Sequence, residues 1–420
     1  MAFVADLHIH SRFARACSKE LNIPNLSLWA KYKGIEMMGT GDCLHPLWLK
    51  ELKSVLKEKD GIYQYEGVTF IPTTEIACIY SEGGKVRRIH ILIFFPNLEE
   101  AEKLAQVLTT RGCNLASDGR PILGMSSKEL CRVVFETVPE ALIVPAHIWT
   151  PWFSLFGSNS GYDSFEECFG EYSERVYGVE TGLSSEPAMN WRVKDLDNKS
   201  IVSFSDAHSL PRLGREVTIF NGECSFEGLS KALKNQKIVG TIEFFPEEGK
   251  YHYSGHRNCQ IVYSPEQLKK KGKICPVCHK PLTVGVMQRV EDLAGRENSE
   301  LRIMNDGGKV SSEKFPQKAG FRMLVQLEEI IAESLKMGVS SQKVKNEYLR
   351  LVTTLGPELM ILTKLSLEEI EKKAGKRIAE GVKRVREGNI HIEPGFDNTY
   401  GVVKIWDKDE EPPVSQESLF

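Results

Sequence analysis

The residues best suited to chemistry stand close to the N-terminus, in Asp6-Leu7-His8-Ile9-His10-Ser11. Apolar and polar residues alternate there, Phe3, Ala5, Leu7 and Ile9 against Asp6, His8 and His10, which is the period of a β-strand. On a strand His8 and His10 point to one face, so two imidazoles reach one place. Neutral imidazole is a good ligand for borderline divalent cations, and such a pair is half of a metal site. Further ligand types follow short apolar runs. Glu75 comes after Val68-Thr-Phe-Ile-Pro-Thr-Thr, and His90 opens Ile89-His-Ile-Leu-Ile-Phe. His147 ends Leu142-Ile-Val-Pro-Ala-His, Glu180 ends Val176-Tyr-Gly-Val-Glu, and Asp206 and His208 follow Ile201-Val-Ser-Phe-Ser.

A second constellation lies further on. His256-Arg-Asn-Cys259 and Cys275-Pro-Val-Cys278 are separated by fifteen residues. A Cys-x-x-Cys with an internal proline and a following basic residue is a zinc-knuckle signature, and with His256 and Cys259 it makes a four-ligand Cys3His site. His252 and His279 are alternative fourth ligands, although His256 has the better spacing. A redox Cys-x-x-Cys is the other reading, but no strand-helix context of that kind surrounds it. A closed thiolate-rich site is structural, so the expected zinc folds a small module and does no chemistry.

The elements that must position these groups can be read from the pattern. From residue 1 to about 240, short apolar runs alternate with amphipathic or polar stretches, which predicts a parallel α/β arrangement, a barrel or distorted barrel. In such barrels functional side chains collect where loops leave the C-terminal ends of the strands. Five of the six histidines in this half (8, 10, 45, 90, 147 and 208) fall near strand ends. The loop after His147 carries Trp149, Trp152, Phe153, Phe156 and Tyr162, interleaved with Gly157, Ser158, Ser160 and Gly161. Its aromatics either pack the loop down or stack on a nucleic-acid base whose edge is read by main-chain groups near Ser158 and Ser160.

Residues 298–317 are polar, contain Asn305-Asp-Gly-Gly and read as a loop or linker. Phe321, Leu324, Val325, Leu327, Ile330, Ile331 and Leu335 then recur at helical spacing. A later helix opens at Ser366-x-x-Glu369, a capping-box pattern, and runs to Gly388. Its outer face carries Lys372, Lys373, Lys376, Arg377, Lys383, Arg384 and Arg386. Such a run is either a solvated face or a contact surface for a phosphate backbone.

The chain's 420 residues exceed one ordinary core. The expected division is 1–240, a catalytic barrel; 241–300, a zinc module; 301–406, a helical basic region; and 407–420, an acidic disordered tail. The total charge of -3 conceals an asymmetry: residues 250–406 balance at +8, the last fourteen at -4 and residues 1–249 at -7. An acidic half suits a cation-rich site and a basic half suits a polyanion. No apolar run is long enough to span a bilayer and no signal segment opens the chain, so no membrane partner and a cytoplasmic, nucleoid-associated location are expected. Seven scattered cysteines argue against a secreted disulfide scaffold.

His8-x-His10, Gly39-Thr40-Gly41-Asp42, Glu75, His90, His147 and Asp206-x-His208 together resemble the polymerase-and-histidinol-phosphatase (PHP) metallohydrolases. The resemblance implies a distorted (βα)7 barrel with two or three divalent metals (Zn, Mn or Mg) at its mouth. It places His8, His10, Glu75 and Asp206 on one metal, with Glu75 bridging to a second held by His90 and His147. Asp42 and His208 would be further ligands or partners of ligands, and His45 a more distant candidate. Where the family has Thr-Asp-His this chain has Gly41-Asp42-Cys43, which weakens the third site. Two cations about 3.5–4 Å apart lower the pKa of a water and stabilise charge on a phosphoryl oxygen, so the barrel implies a phosphoesterase.

The order of barrel, His-x-x-Cys…Cys-x-x-Cys module and basic helices, with Tyr251-His-Tyr and Glu393-Pro-Gly-Phe-Asp, resembles one subgroup, the endonuclease Q repair nucleases. That resemblance implies cleavage of DNA, double- or single-stranded, on the 5′ side of a deaminated base or abasic site. Trp149, Trp152, Phe153, Ser158 and Ser160 would then face the flipped base, and Lys372, Lys373, Lys376 and Arg377 the backbone. The tail Gln416-Glu-Ser-Leu419-Phe420 resembles the start of a binding motif for the sliding clamp PCNA. Two other classes fit parts of the pattern: a PHP phosphatase of small molecules, and a non-catalytic DNA-binding factor with a degenerate barrel. The Cys3His module and the basic half disfavour the first, and the near-complete ligand set disfavours the second.

Overall fold

The computed structural model describes residues 2–59 and 61–407. Strand Ala2–Asp6 runs parallel to Met37–Gly39, which runs parallel to Val68–Ile71. After Pro72 the chain continues as Thr73–Glu82 and turns back through Gly83 and Gly84, both at positive φ, into the antiparallel strand Lys85–Phe94. Glycine is the residue for such a turn because a Cβ makes two successive left-handed positions costly. Leu142–Pro145 pairs antiparallel with Lys85–Phe94. The ring proceeds through the Ile148 N–H, which donates to the Glu180 carbonyl at 3.1 Å. Gly178–Glu180 then pairs in parallel with Ser200–Val202. A parallel bridge between Ile9 and Ala207 returns to the first strand. The result is a distorted seven-position barrel, not a fully parallel one, because the long hairpin 73–94 inserts antiparallel pairs.

Packing of the outer helices follows from their sequence. Helix Leu98–Thr110 starts at Asn97, whose side chain accepts from the Glu100 N–H at 2.8 Å. Leu98, Ala101, Leu104 and Leu108 share its inner face and are buried. Burying each leucine stabilises the fold by about 1.5–3 kcal/mol.

Beyond the ring, strand Val217–Asn221 lies antiparallel to Ala2–Asp6 and to Ile238–Glu243, and Gly320–Met323 runs parallel to the latter. Ile303–Asp306 and Lys309–Ser312 extend the same sheet around the Gly307-Gly308 turn. Residues 298–317, expected as a loop or linker, are therefore largely a short helix and a β-hairpin. The helical pattern expected from Phe321 starts only at Leu327, since Phe321 belongs to a strand. The helix expected from Ser366 to Gly388 is two helices, Leu367–Ala374 and Lys376–Glu387. Gly375, at φ 85°, breaks it, because that backbone conformation cannot continue a right-handed helix.

Helices Gln342–Thr354 and Glu358–Thr363 and the start of Leu327–Ser334 are fastened to the barrel helix Ile23–Lys33 by a buried polar cluster. Lys33 Nζ lies 2.6 Å from Glu358 Oε2, the Tyr348 hydroxyl donates to the same oxygen at 2.8 Å, and the Leu327 N–H donates to Oε1 at 3.0 Å. Trp29 stacks on Tyr348 beside them, with ring centroids 5.7 Å apart. No helix among the described residues is long and apolar enough to cross a membrane. The clamp-like motif at 416–420 lies outside the described residues.

Candidate active site and zinc site

Just past strand Ala2–Asp6, Leu7 and Ile9 each join a hydrophobic cluster while the buried His8 and His10 both reach Glu75 and Asp206. Glu75 faces Leu92 across the hairpin, so His90, two residues along the partner strand, shares its face. His147 and Asp206 lie just past the ends of strands Leu142–Pro145 and Ser200–Val202. Both sit at positive φ, 30° and 46°, as does Asp42 at 48°. Such backbone positions are unfavourable for non-glycine residues and persist only where surrounding structure imposes them.

Two clusters result, and Glu75 belongs to both. Its Oε2 lies 3.5 Å from His8 Nε2 and 3.3 Å from His10 Nε2, while Asp206 Oδ1 lies 3.5 and 3.2 Å from the same nitrogens. Its Oε1 lies 2.6 Å from His90 Nδ1 and 3.2 Å from His147 Nε2. A tetrahedral cation with ligands at about 2.0–2.1 Å separates its ligand atoms by about 3.3 Å, which matches the first cluster. His8 Nε2, His10 Nε2 and Asp206 Oδ1 are buried with no hydrogen-bond partner. Three orphaned acceptors facing one point are what a cation would satisfy, so these residues fit a metal pair bridged by Glu75.

The histidines are oriented from behind. Both oxygens of the buried Glu180 lie on His8 Nδ1, at 2.9 and 3.0 Å, and its Oε2 also accepts from the His147 N–H at 2.8 Å. Asp42 Oδ1 lies 3.0 Å from His10 Nδ1, and its Oδ2 accepts from the Ser11 N–H at 2.6 Å. Each carboxylate directs the proton to Nδ1 and leaves Nε2 with a lone pair for a cation. Asp42 is thus placed behind His10, outside the ligand clusters. His208 is outside them too: its Nδ1 hydrogen-bonds the Asp206 carbonyl at 2.9 Å and its ring lies 4.6 Å from that of His10. His45 packs against Phe13 with ring centroids 4.5 Å apart.

Burial would discharge His8 and His10, but the carboxylates of Glu180, Asp206 and Glu75 around His8, and of Asp42 and Asp206 around His10, outweigh it and raise both rings' proton affinity. Burial pushes His90 down to about 4. For Glu75, burial is overcome by His90, His8 and Arg120, which hold the carboxyl well below its usual range. Asp6 accepts from the Ser205 and Gly214 N–H groups, both at 3.0 Å, and so ties down the loop bearing Asp206. Arg120 was not among the expected site residues, and Glu180 and Asp6 were noted in the sequence without the supporting roles they take here. Glu180 had a signal in its place at a strand end, whereas Arg120 stands in a loop with none.

Not every expected base-contacting residue reaches the mouth. Trp149 is fully buried, its indole donates to Asn190 Oδ1 at 2.8 Å and its ring packs on Phe156, so it belongs to the core and cannot stack on a base. Ser160 is buried and holds the loop, accepting from the Phe153 N–H at 3.3 Å. Ser158 stays partly exposed on that loop. Trp152 and Phe153 do line a cleft of about 400 Å³ with Arg88, His90, His147 and Tyr251. An adjoining cavity of about 280 Å³ is lined by His147, Gly182, Leu183, Asp206, Tyr251 and His252. Lys372, Lys373 and Lys376 are exposed, but the Arg377 guanidinium lies 3.7 Å from the centre of the Trp406 ring and serves packing.

His256, Cys259, Cys275 and Cys278 converge with all four ligand atoms within 4.8 Å of one another. His256 rather than His252 or His279 completes the group; His252 lines the cavity beside His147 instead. Tyr263, Leu268 and Leu282 are the buried hydrophobic residues around Cys275, a small core of the kind that a bound cation would reinforce.

The ring of strands and the two His/carboxylate clusters sharing one glutamate are the arrangement that the resemblance to the PHP metallohydrolases implies. Residues 326–389 match the MJ0043 C-terminal domain family. Uncharacterized protein MJ0043 of Methanocaldococcus jannaschii is 31% identical over 265 residues, which are 61% of this chain and only 31% of that protein's length. Uncharacterized protein YqxK of Bacillus subtilis is 27% identical over 421 residues, covering 95% of this chain and 98% of the relative. The lesion-specific endonuclease PfuEndoQ of Pyrococcus furiosus superposes with a TM-score of 0.83 at 30% identity, covering 99% of this chain and 98% of that one. An endonuclease Q structure in complex with a 27-mer duplex bearing an abasic lesion at its active site gives a TM-score of 0.83 at 31% identity over 100% of both chains. The chain belongs to the endonuclease Q family.

Proposed function

We propose that this protein is a DNA repair endonuclease that cuts the phosphodiester on the 5′ side of deaminated bases (uracil, hypoxanthine, xanthine) and abasic sites. The observation that carries the reading is Glu75, which offers one oxygen to each of two His-rich clusters at the mouth of a barrel. Its support is the full-length likeness to an endonuclease Q seen with an abasic duplex.

His8, His10, Glu75 and Asp206 would hold one divalent cation, and Glu75, His90 and His147 a second; Zn, Mn and Mg all suit such a donor set. Bound there, the cations supply an activated water and neutralise charge on the phosphoryl oxygens. The chain's own groups do the positioning. Glu180 and Asp42 fix the tautomers of His8 and His10, and Asp6 holds the Asp206 loop. The cavity beside His147 and Asp206 receives the extruded nucleotide, and a lesion that pairs poorly leaves the stack at the lowest cost. Trp152 and Phe153 offer stacking faces at its entrance. The Cys3His module, with its structural zinc, and Lys372, Lys373 and Lys376 grip the backbone. Through the motif at 416–420 the sliding clamp PCNA is a further partner, checked by co-purification with and without those residues.

The test is incubation with a labelled duplex containing one deoxyuridine, beside an undamaged duplex and a generic phosphatase substrate, with and without Mg, Mn and Zn. A single metal-dependent nick 5′ of the uridine is expected. No nick, with brisk phosphate release from the small substrate, returns the protein to the phosphatases.

A further inference from the structure

We propose that Arg120 contacts the substrate at this site, its guanidinium held at the edge of the bridging carboxylate to grip the scissile phosphodiester. The inference rests on the endonuclease reading above. Arg120 Nη1 lies 3.1 Å from Glu75 Oε2, the oxygen that also faces His8 and His10. Among the described residues, Glu75 is the one hydrogen-bond partner of its side chain. That side chain is 30% exposed while Glu75 is fully buried, so the guanidinium meets the carboxylate and still leaves part of its surface open to solvent.

The segment carrying Arg120 is built onto the ligand scaffold. The Arg120 and Arg15 N–H groups both donate to Asp118 Oδ1 at 3.2 Å, and the Gly119 N–H donates to the Phe13 carbonyl at 3.0 Å. A Cβ at Gly119 would fall 2.4 Å from Asp42 Oδ2, on the carboxylate that orients His10. The Pro121 carbonyl accepts from the Ala77 N–H at 3.0 Å, in the strand that carries Glu75. Arg120 is therefore fixed by the same residues that fix His10 and Glu75, unlike a surface cation.

Charge decides what Arg120 is for. With cations holding its oxygens, Glu75 no longer needs an arginine, and a guanidinium beside two divalent cations is unfavourable unless an anion joins them. A phosphodiester supplies that charge, and a planar fork of N–H donors matches two of its oxygens.

The experiment measures binding of the full chain to a labelled duplex with one abasic-site analogue. Calcium stands in for the catalytic cation, and gels verify that no cutting occurs. The slope of log K against log salt falls by about 0.9 for each phosphate that the protein ceases to neutralise. Arg120→Ala is expected to lower the slope by about one. A neutral methylphosphonate at the scissile position should lower the wild-type slope equally, and Arg120→Ala should add nothing on that duplex. Arg120→Lys should keep the slope but reduce the cutting rate, with metal content and melting temperature unchanged in both variants. An unchanged slope in Arg120→Ala, or reductions that add on the methylphosphonate duplex, overturns the inference while leaving the endonuclease standing. Loss of bound metal in both variants overturns it too and makes Arg120 a positioning residue for Glu75. A wild type that shows no preference for the lesion duplex removes the endonuclease reading itself, and this role of Arg120 with it.

Discussion

Glu180→Gln isolates the hydrogen-bonding support of the metal clusters from their ligands. The substitution keeps the shape of the side chain and alters no ligand atom. Glu180 uses both oxygens on His8 Nδ1 and shares Oε2 with the His147 N–H, so both of its oxygens act as acceptors. A glutamine has one acceptor oxygen and one amide nitrogen that only donates. If its oxygen serves His147, the amide N–H faces His8 Nδ1. Either two donors then oppose each other, or the proton moves to Nε2 and removes the lone pair aimed at the cation. Loss of one hydrogen bond to a charged acceptor costs about 1.5–3 kcal/mol, which is about 10- to 150-fold in an equilibrium constant. That agrees with the 10- to 100-fold loss of metal affinity typical of such partners. The assay is competition of the enzyme against a chelator of known affinity, followed by nicking rates at saturating metal. We expect weaker metal binding by about 10- to 100-fold and partial recovery of cutting when metal is raised. Affinity within twofold of wild type would refute the claim that Glu180 sets the His8 tautomer.

Other parts of the chain are open to equally direct tests. His8→Ala or Asp206→Ala should abolish nicking while lesion-duplex binding stays within a few-fold; normal cutting rates would remove the metal assignment. Lys33→Met strands Glu358 in a buried site, and breaking such a pair costs about 3–5 kcal/mol, read as a lowered urea midpoint. Cys275→Ser should lose one equivalent of zinc and open residues 254–282 to trypsin, with the barrel's metal content unchanged; retained zinc would exclude the Cys3His site. His252, pushed down to about 4 by burial, is neutral when folded, whereas its unfolded value is 6.5. Below 6.5 the unfolded chain binds the extra proton, so the contribution is present above that pH and disappears as pH falls toward 4. The loss between pH 7.5 and pH 5 is about 2 kcal/mol. His252→Phe should flatten that part of the urea-midpoint profile, and an identical profile would refute the assignment.

The alternation Leu7-His8-Ile9-His10 carried its own meaning. Alternating extended backbone sends every second side chain to one side, so the paired imidazoles were legible without a third dimension, although the regular strand ends at Asp6 and both rings are buried. The Cys3His group was equally legible, because its ligands are close in sequence and thiolates have few other uses at that spacing. The Gly375 break, the hairpin 303–312 and the burial of Trp149 were not. Local periodicity does not register a left-handed glycine inside a good helical pattern, nor which strand edge a polar segment will find. An aromatic loop likewise reads the same whether a neighbour such as Asn190 takes its indole or a base does.

The pairing of Glu180 with His8, the place of Asp42 behind His10 and the approach of Arg120 to Glu75 depended on tertiary structure alone. These pairs span 172, 32 and 45 residues of sequence, and a hydrogen bond across such a distance leaves no periodic trace. The sequence by itself determined which residues could bind cations. Only the closure of the ring decided which of them share one point, because convergence is a property of the fold and not of spacing along the chain.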